Sequence, residues 1–128
     1  MKEKDFQTKF GRWVKNRWQG SAVFELKLCK DKAWPFSEIK EHQLAALSVA
    51  KHSILYFKLP DVGLMQKPFD TVVVSGVPAY LALMFYKRGQ DEFFLIDIDT
   101  LLSEIKSSER RSLTEDRAQL IGQSVHFA

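Results

Sequence analysis

Ala22-Val23-Phe24-Glu25-Leu26-Lys27-Leu28-Cys29 alternates with a period of two. Phe24, Leu26 and Leu28 fall on one face, and Val23, Glu25, Lys27 and Cys29 on the other, which predicts a strand. The Glu/Lys side has apolar flanks too, so the strand is expected to be covered on both faces, with its two charges near a cleft. Gln19-Gly20-Ser21 separates it from residues 4–17, where Phe6, Phe10, Trp13 and Val14 recur at helical spacing. Downstream, a polar loop leads to Trp34-Pro35-Phe36-Ser37. Ser37 suits an N-cap, and a helix is expected to about Lys51 with Ile39, Leu44 and Leu47 inward.

The second half is expected to be β-rich. Residues 53–58 read as a strand, and Leu59-Pro60-Asp61-Val62-Gly63 as a turn and loop. Residues 69–74 form a β-branched run between Pro68 and Ser75-Gly76. Residues 79–87 and 92–98 read as a hairpin around Arg88-Gly89-Gln90. Residues 100–105 read as one or two helical turns, and Thr114 as the cap of a last short helix ending near Gly122.

At 128 residues, 45% hydrophobic and 27% charged, the chain suits one globular domain over residues 1–128. One cysteine excludes an intramolecular disulfide and a Cys-based zinc site. The polar N-terminus and the lack of a long apolar run predict neither signal peptide nor membrane span. The expected location is therefore the cytoplasm. Nineteen Lys and Arg against 16 Asp and Glu leave a net charge of +3. Residues 1–18 hold six cations, Lys2, Lys4, Lys9, Arg12, Lys15 and Arg17, against Glu3 and Asp5. Such an element suits a phosphate-facing surface and equally a solvated helix face.

Glu25 and Lys27 carry the first chemical hint. Residues i and i+2 of a strand share a face, so a carboxylate and an ammonium project side by side. Such a pair serves a Mg²⁺-dependent phosphodiesterase: the acid binds a hard cation and the lysine orients water or offsets developing charge. Taken alone, it is more often a cross-strand charge pair. Asp70, before Val72-Val73-Val74, reads either as a strand-borne metal ligand or as a turn residue. His42 is expected to pack or hydrogen-bond near Gln43, and Trp13, Trp18 and Trp34 to serve the core or an interface. Asp97 and Asp99 are expected to cap the turn that follows them.

Val23 to Lys27, the loop, and Trp34-Pro35-Phe36-Ser37-Glu38-Ile39-Lys40-Glu41-His42-Gln43 together resemble the PD-(D/E)XK nuclease superfamily, nearest its RecU-like Holliday junction resolvases. Ala79 to Phe85, Glu92 to Asp97 and the tail from Arg111 to Gly122 extend the resemblance over most of the chain. One departure stands out. The family's metal-binding Asp precedes the E-x-K strand, whereas here nothing acidic lies between Asp5 and Glu25. The run from Ile54 to Val74 resembles the missing hairpin, placed after the His-Gln helix. This implies a rearranged order in which Asp70 reaches Glu25 in the same sheet, within one chain or by exchange across a dimer.

The resemblance implies an α/β restriction-endonuclease-like domain, a mixed sheet flanked by helices. It implies Mg²⁺ (or Mn²⁺) on Asp70, Glu25 and the Leu26 carbonyl, with Lys27 activating water and Gln43 bracing the site. Lys58, Arg12, Lys15 and Arg17 become candidates for DNA backbone contact. The expected activity is endonucleolytic cleavage of branched DNA by a homodimer, two sites suiting paired cuts. Rivals are a nuclease of the same type acting on duplex or flap DNA, an inactive DNA-binding protein of the same fold, and a protein-interaction module.

Overall fold

Ala79 to Phe85 is apolar at every position, which a strand sustains only when both its faces are covered. The computed structural model, which describes residues 1–61 and 66–127, puts that strand at the centre. The elements run α1 (Glu3–Arg17), β1 (Val23–Cys29), β2 (Ala33–Pro35), a 3-10 turn (Phe36–Glu38), α2 (Glu41–His52), β3 (Ile54–Lys58) and β4 (Thr71–Ser75). They continue with β5 (Ala79–Phe85), β6 (Glu92–Asp97), α3 (Ile98–Ser107), β7 (Ser112–Thr114), α4 (Glu115–Ile121) and β8 (Gln123–His126). The main sheet has the order β1-β5-β6-β8, with β1 parallel to β5 and the other pairs antiparallel. This is the expected α/β architecture, a mixed sheet flanked by helices.

The alternation along each strand separates two cores. Leu81, Leu83, Phe85, Phe94 and Ile96 point to the face covered by α2, α3 and α4, where Leu47, Leu101 and Ala118 meet them. Ala82, Met84, Phe93 and Leu95 point to the other face, where α1 lays down Phe6 and Phe10. The second core is largely aromatic. The Phe93 ring lies 5.6 Å from Phe10, 5.2 Å from Trp13 and 4.9 Å from Phe127. Trp13 and Trp18 pack there and Trp34 is buried on the other face, as expected of core residues.

Local chemistry explains most boundaries. Thr114 Oγ1 accepts from Arg117 N at 3.2 Å and caps α4, and Asp97 caps α3 by accepting from Asp99 N at 2.9 Å. Ser37 is not the cap of α2. Trp34-Pro35 instead pairs with β7, the chain makes one 3-10 turn, and Ile39 stays extended with its side chain buried. The helix begins after Lys40, whose N–H donates to Gln43 Oε1 at 3.0 Å in a capping box. Burying Ile39 outside the helix outweighs the local preference of Ser37. His42 is exposed rather than packed.

Gly122 turns α4 into β8 against β6. A Cβ there would stand 2.9 Å from Ile96 Cγ1 and 3.0 Å from the carbonyl oxygens of Leu95 and Ala118. Two of those neighbours are backbone and cannot yield without moving a strand or a helix. Gly122→Ala is therefore expected to cost about 1–3 kcal/mol in urea denaturation. A loss below about 0.5 kcal/mol would mean that β8 is not held against β6 as described.

The strands β3 and β4 are an antiparallel hairpin that stands as its own two-stranded sheet. Its root is tied to α2, because Val77 N donates to Ala50 O at 3.1 Å. The expectation that this hairpin joins the sheet of β1 is thus corrected for a single chain. The short path from α2 into β3, and that bond on the return, hold the hairpin beside the helix rather than in the plane of the sheet. The expected turn at 59–63 falls partly on residues 62–65, outside the described residues.

Candidate active site on the edge strand

Because β1 pairs only with β5 among the described residues, its other edge is open. Val23 N donates to Pro78 O and Cys29 O accepts from Tyr86 N, so the odd-numbered residues turn their peptide groups toward β5. In a parallel ladder the alternate residues face the other way. Phe24, Leu26 and Leu28 therefore present N–H and C=O groups along the open edge. The Leu26 carbonyl is among these unpaired groups.

Glu25 and Lys27 project side by side toward α2, away from α1. Lys27 Nζ is 3.6 Å from Glu25 Oε1. Gln43, on the first turn of α2, donates from Nε2 to the same oxygen at 3.0 Å, while its own Oε1 caps the helix. One amide is thus oriented from both ends, and it orients Glu25 in turn. Both contacts use Oε1, and Oε2 takes no hydrogen bond from the described residues. The Lys27 side chain is 16% exposed and that of Glu25 29%, so both are partly covered. Cys29, on the same face, is buried, and burial pushes its thiol up, which makes it a packing residue.

Asp70 does not join this group within one chain. Its side chain is 82% exposed and lies 3.1 Å from Lys67 Nζ, which also binds Asp61 at 2.6 Å. Leu59 N donates to Asp70 O, so Asp70 sits at the end of the hairpin remote from its root. Lys67 was not singled out in the sequence; its i,i+3 spacing to Asp70 was the available signal. Glu25 with the Leu26 carbonyl leaves one carboxylate and one carbonyl for a cation. No cluster of three or more His, Cys, Asp or Glu occurs among the described residues.

The DNA-contact candidates divide between two places. Arg12 and Arg17 line a shallow depression of about 360 Å³ with Trp13, Asn16 and Phe127. Lys15 is exposed on the same helix. All three belong to α1, across the sheet from Glu25 and Lys27, so a ligand touching both groups has to pass around the open edge of β1. Lys58 is exposed at the outer end of β3.

A second charged group lies where α2 meets the start of α3. Lys51 Nζ contacts Asp97 at 2.8 Å and Asp99 at 2.6 Å, and His52 Nε2 lies 2.8 Å from Asp99. Its partners are far apart in sequence, which hid it. Lys51 and then His52 hold the Asp99 carboxyl below its ordinary value of 3.8, and hydrogen bonds from Asp97 and Asp99 hold Lys51 above 10.5. The stability from Asp99 is present above its ordinary value and is lost as pH falls through the lowered one; that from Lys51 is lost only as pH rises past 10.5. Asp99→Asn is therefore expected to lower the thermal midpoint at pH 7 and to narrow the gap to wild type below pH 3.8. A gap that stays constant with pH would contradict this ion-pair account.

No helix among the described residues is long and apolar enough to cross a membrane. No family model, curated protein or solved structure matches the chain.

Proposed function

We propose that the chain is a Mg²⁺- or Mn²⁺-dependent DNA endonuclease of the PD-(D/E)XK type, acting on branched DNA as a homodimer. The observation that carries the reading is the trio on the α2 face: Glu25, Lys27 at 3.6 Å, and the Gln43 amide at 3.0 Å. Hard cations take oxygen ligands, and Mg²⁺ keeps several waters while binding one or two carboxylates and substrate phosphate. Glu25 Oε2 and the outward Leu26 carbonyl fit the protein's share of that donor set; Asp70, engaged with Lys67 in its own chain, would be the second carboxylate only if a second copy supplied it. Held there, such an ion would supply charge stabilisation on the scissile phosphate and a lower pKa for bound water.

The chain's own groups do the rest. Gln43 keeps Oε1 occupied and leaves Oε2 free. Lys27 stands where an ammonium orients an attacking water or offsets charge on the phosphate. Arg12, Lys15, Arg17 and Lys58 contribute salt-sensitive backbone attraction.

The test is cleavage of a labelled four-way junction, with linear duplex, flap and single strand alongside, in Mg²⁺ and in EDTA. Metal-dependent paired nicks on the junction are expected. Equal cleavage of duplex or flap would keep the nuclease and remove the preference for junctions. A second reading, a non-cleaving DNA-binding protein of this fold, is favoured by the engagement of Asp70 with Lys67. It predicts salt-sensitive binding and no cleavage of any substrate.

A further inference from the structure

Two unsatisfied features of the fold match each other. The first is the open edge of β1, where Phe24, Leu26 and Leu28 offer their peptide groups. The second is the hairpin. Ile54, Tyr56, Phe57, Phe69 and Val73 lie on it or beside it, each more than half exposed, and among the described residues only Leu102 and Leu120 elsewhere are large hydrophobics exposed to solvent. A two-stranded hairpin is marginal alone; α2 lies against this one, yet these side chains remain exposed.

The hydrogen-bond phase of β4 can be read as that of β1 was. Leu59 N donates to Asp70 O, which makes this a hydrogen-bonded pair. Counting along the ladder, Val72 and Val74 also turn their peptide groups toward β3. Thr71, Val73 and Ser75 then face outward. Each open edge thus offers three alternate residues, even-numbered on β1 and odd-numbered on β4.

We propose that β4 of a second copy adds antiparallel to the open edge of β1, and that the exchange is reciprocal. Matching the free peptide groups pairs even residues of β1 with odd residues of β4. Residues opposite one another point to the same face. Glu25 and Lys27 therefore share a face with Asp70, Val72 and Val74 of the incoming strand. On the reverse face, Val73 of the incoming strand and its neighbours Ile54 and Tyr56 continue the apolar stripe of Phe24, Leu26 and Leu28. Hydrogen bonding and hydrophobic matching select the same parity.

The hairpin reaches a second copy rather than its own β1. Residues 76–78 lead from β4 straight into β5, on the inner side of β1. Docking in cis would break the bond of Val77 to Ala50 and pull the hairpin from α2. The exposed side chains of the hairpin amount to roughly 500 Å² of apolar surface, at about 150–250 Å² for each large aromatic ring. With the strand edge added, this approaches the ~800 Å² per partner of a stable dimer. Placing Asp70 at the catalytic face rests on the nuclease reading; the dimer itself does not.

Sedimentation and thiol cross-linking test the proposal without any cleavage assay. The protein is expected to sediment as a dimer, and the double variant Tyr56→Glu/Val73→Lys as a folded monomer. On a Cys29→Ser background, Lys27→Cys protein mixed with Asp70→Cys or with Val72→Cys protein should form a disulfide-linked dimer under mild oxidation. Mixing with Thr71→Cys protein, of the opposite parity, should not. A wild-type monomer at every concentration overturns the proposal. So does a dimer that survives the hairpin substitutions, or linkage found only within a chain carrying both cysteines. If the cross-link forms but wild-type protein cleaves nothing, the dimer stands and the nuclease reading falls.

Discussion

Glu25→Gln is expected to lower metal-dependent junction cleavage by about two to three orders of magnitude while leaving the fold intact. The substitution keeps the shape of the side chain. A glutamine oxygen still accepts from Gln43 Nε2, so the brace at 3.0 Å survives. What is lost is the negative charge on Oε2, the atom left free for a cation. Lys27 also loses its counter-charge at 3.6 Å, which does not threaten folding because the pair is partly solvated. Initial rates on the labelled junction, with thermal unfolding as the control, separate catalysis from stability. Salt-dependent binding should be retained. Undiminished cleavage by a folded Glu25→Gln protein would remove this strand from the chemistry altogether. Asp70→Asn is expected to follow Glu25→Gln in cleavage, and cleavage that survives it would leave the second carboxylate elsewhere.

Phe93→Ala is expected to cost about 3–5 kcal/mol, a large part of the ~5–15 kcal/mol available to a domain of this size. Phe93 is fully buried, and its ring meets Phe6 at 5.9 Å, Phe10 at 5.6 Å, Trp13 at 5.2 Å and Phe127 at 4.9 Å. Removing it opens a cavity between sheet and α1 that the rings on α1 and Phe127 after β8 cannot fill without moving their backbones. Phe69→Ala is the comparison, since that ring is 53% exposed and is expected to cost less than about 1 kcal/mol in the monomer. Urea denaturation of both reads the difference. Equal costs would mean that α1 is not fastened to the sheet through Phe93.

Much of the layout was legible because local signals and burial agreed. The alternation around Glu25, the all-apolar run from Ala79, the cap at Thr114 and the turn at Gly89 each appear where the residues put them. The short strands β2 and β7 were missed, because three-residue strands carry no period. Ser37 misled because its capping preference is worth less than burying Ile39 two residues later. At the site, Gln43 donates to Glu25, while Asp70 is engaged with Lys67. The DNA-contact candidates on α1 were chosen by charge alone, and charge does not reveal which face of a sheet a helix covers.

By itself the sequence determined the α/β class, the longer helices and strands, and the shared face of Glu25 and Lys27, since these follow from periods of 3.6 and 2.0 within one element. Only the tertiary structure decided that, among the described residues, β1 is an edge strand with its even-numbered peptide groups free and the hairpin forms a separate sheet with large apolar side chains exposed. Those properties depend on which strands pair and in what phase. Pairing joins residues far apart in the chain, so no local pattern records it.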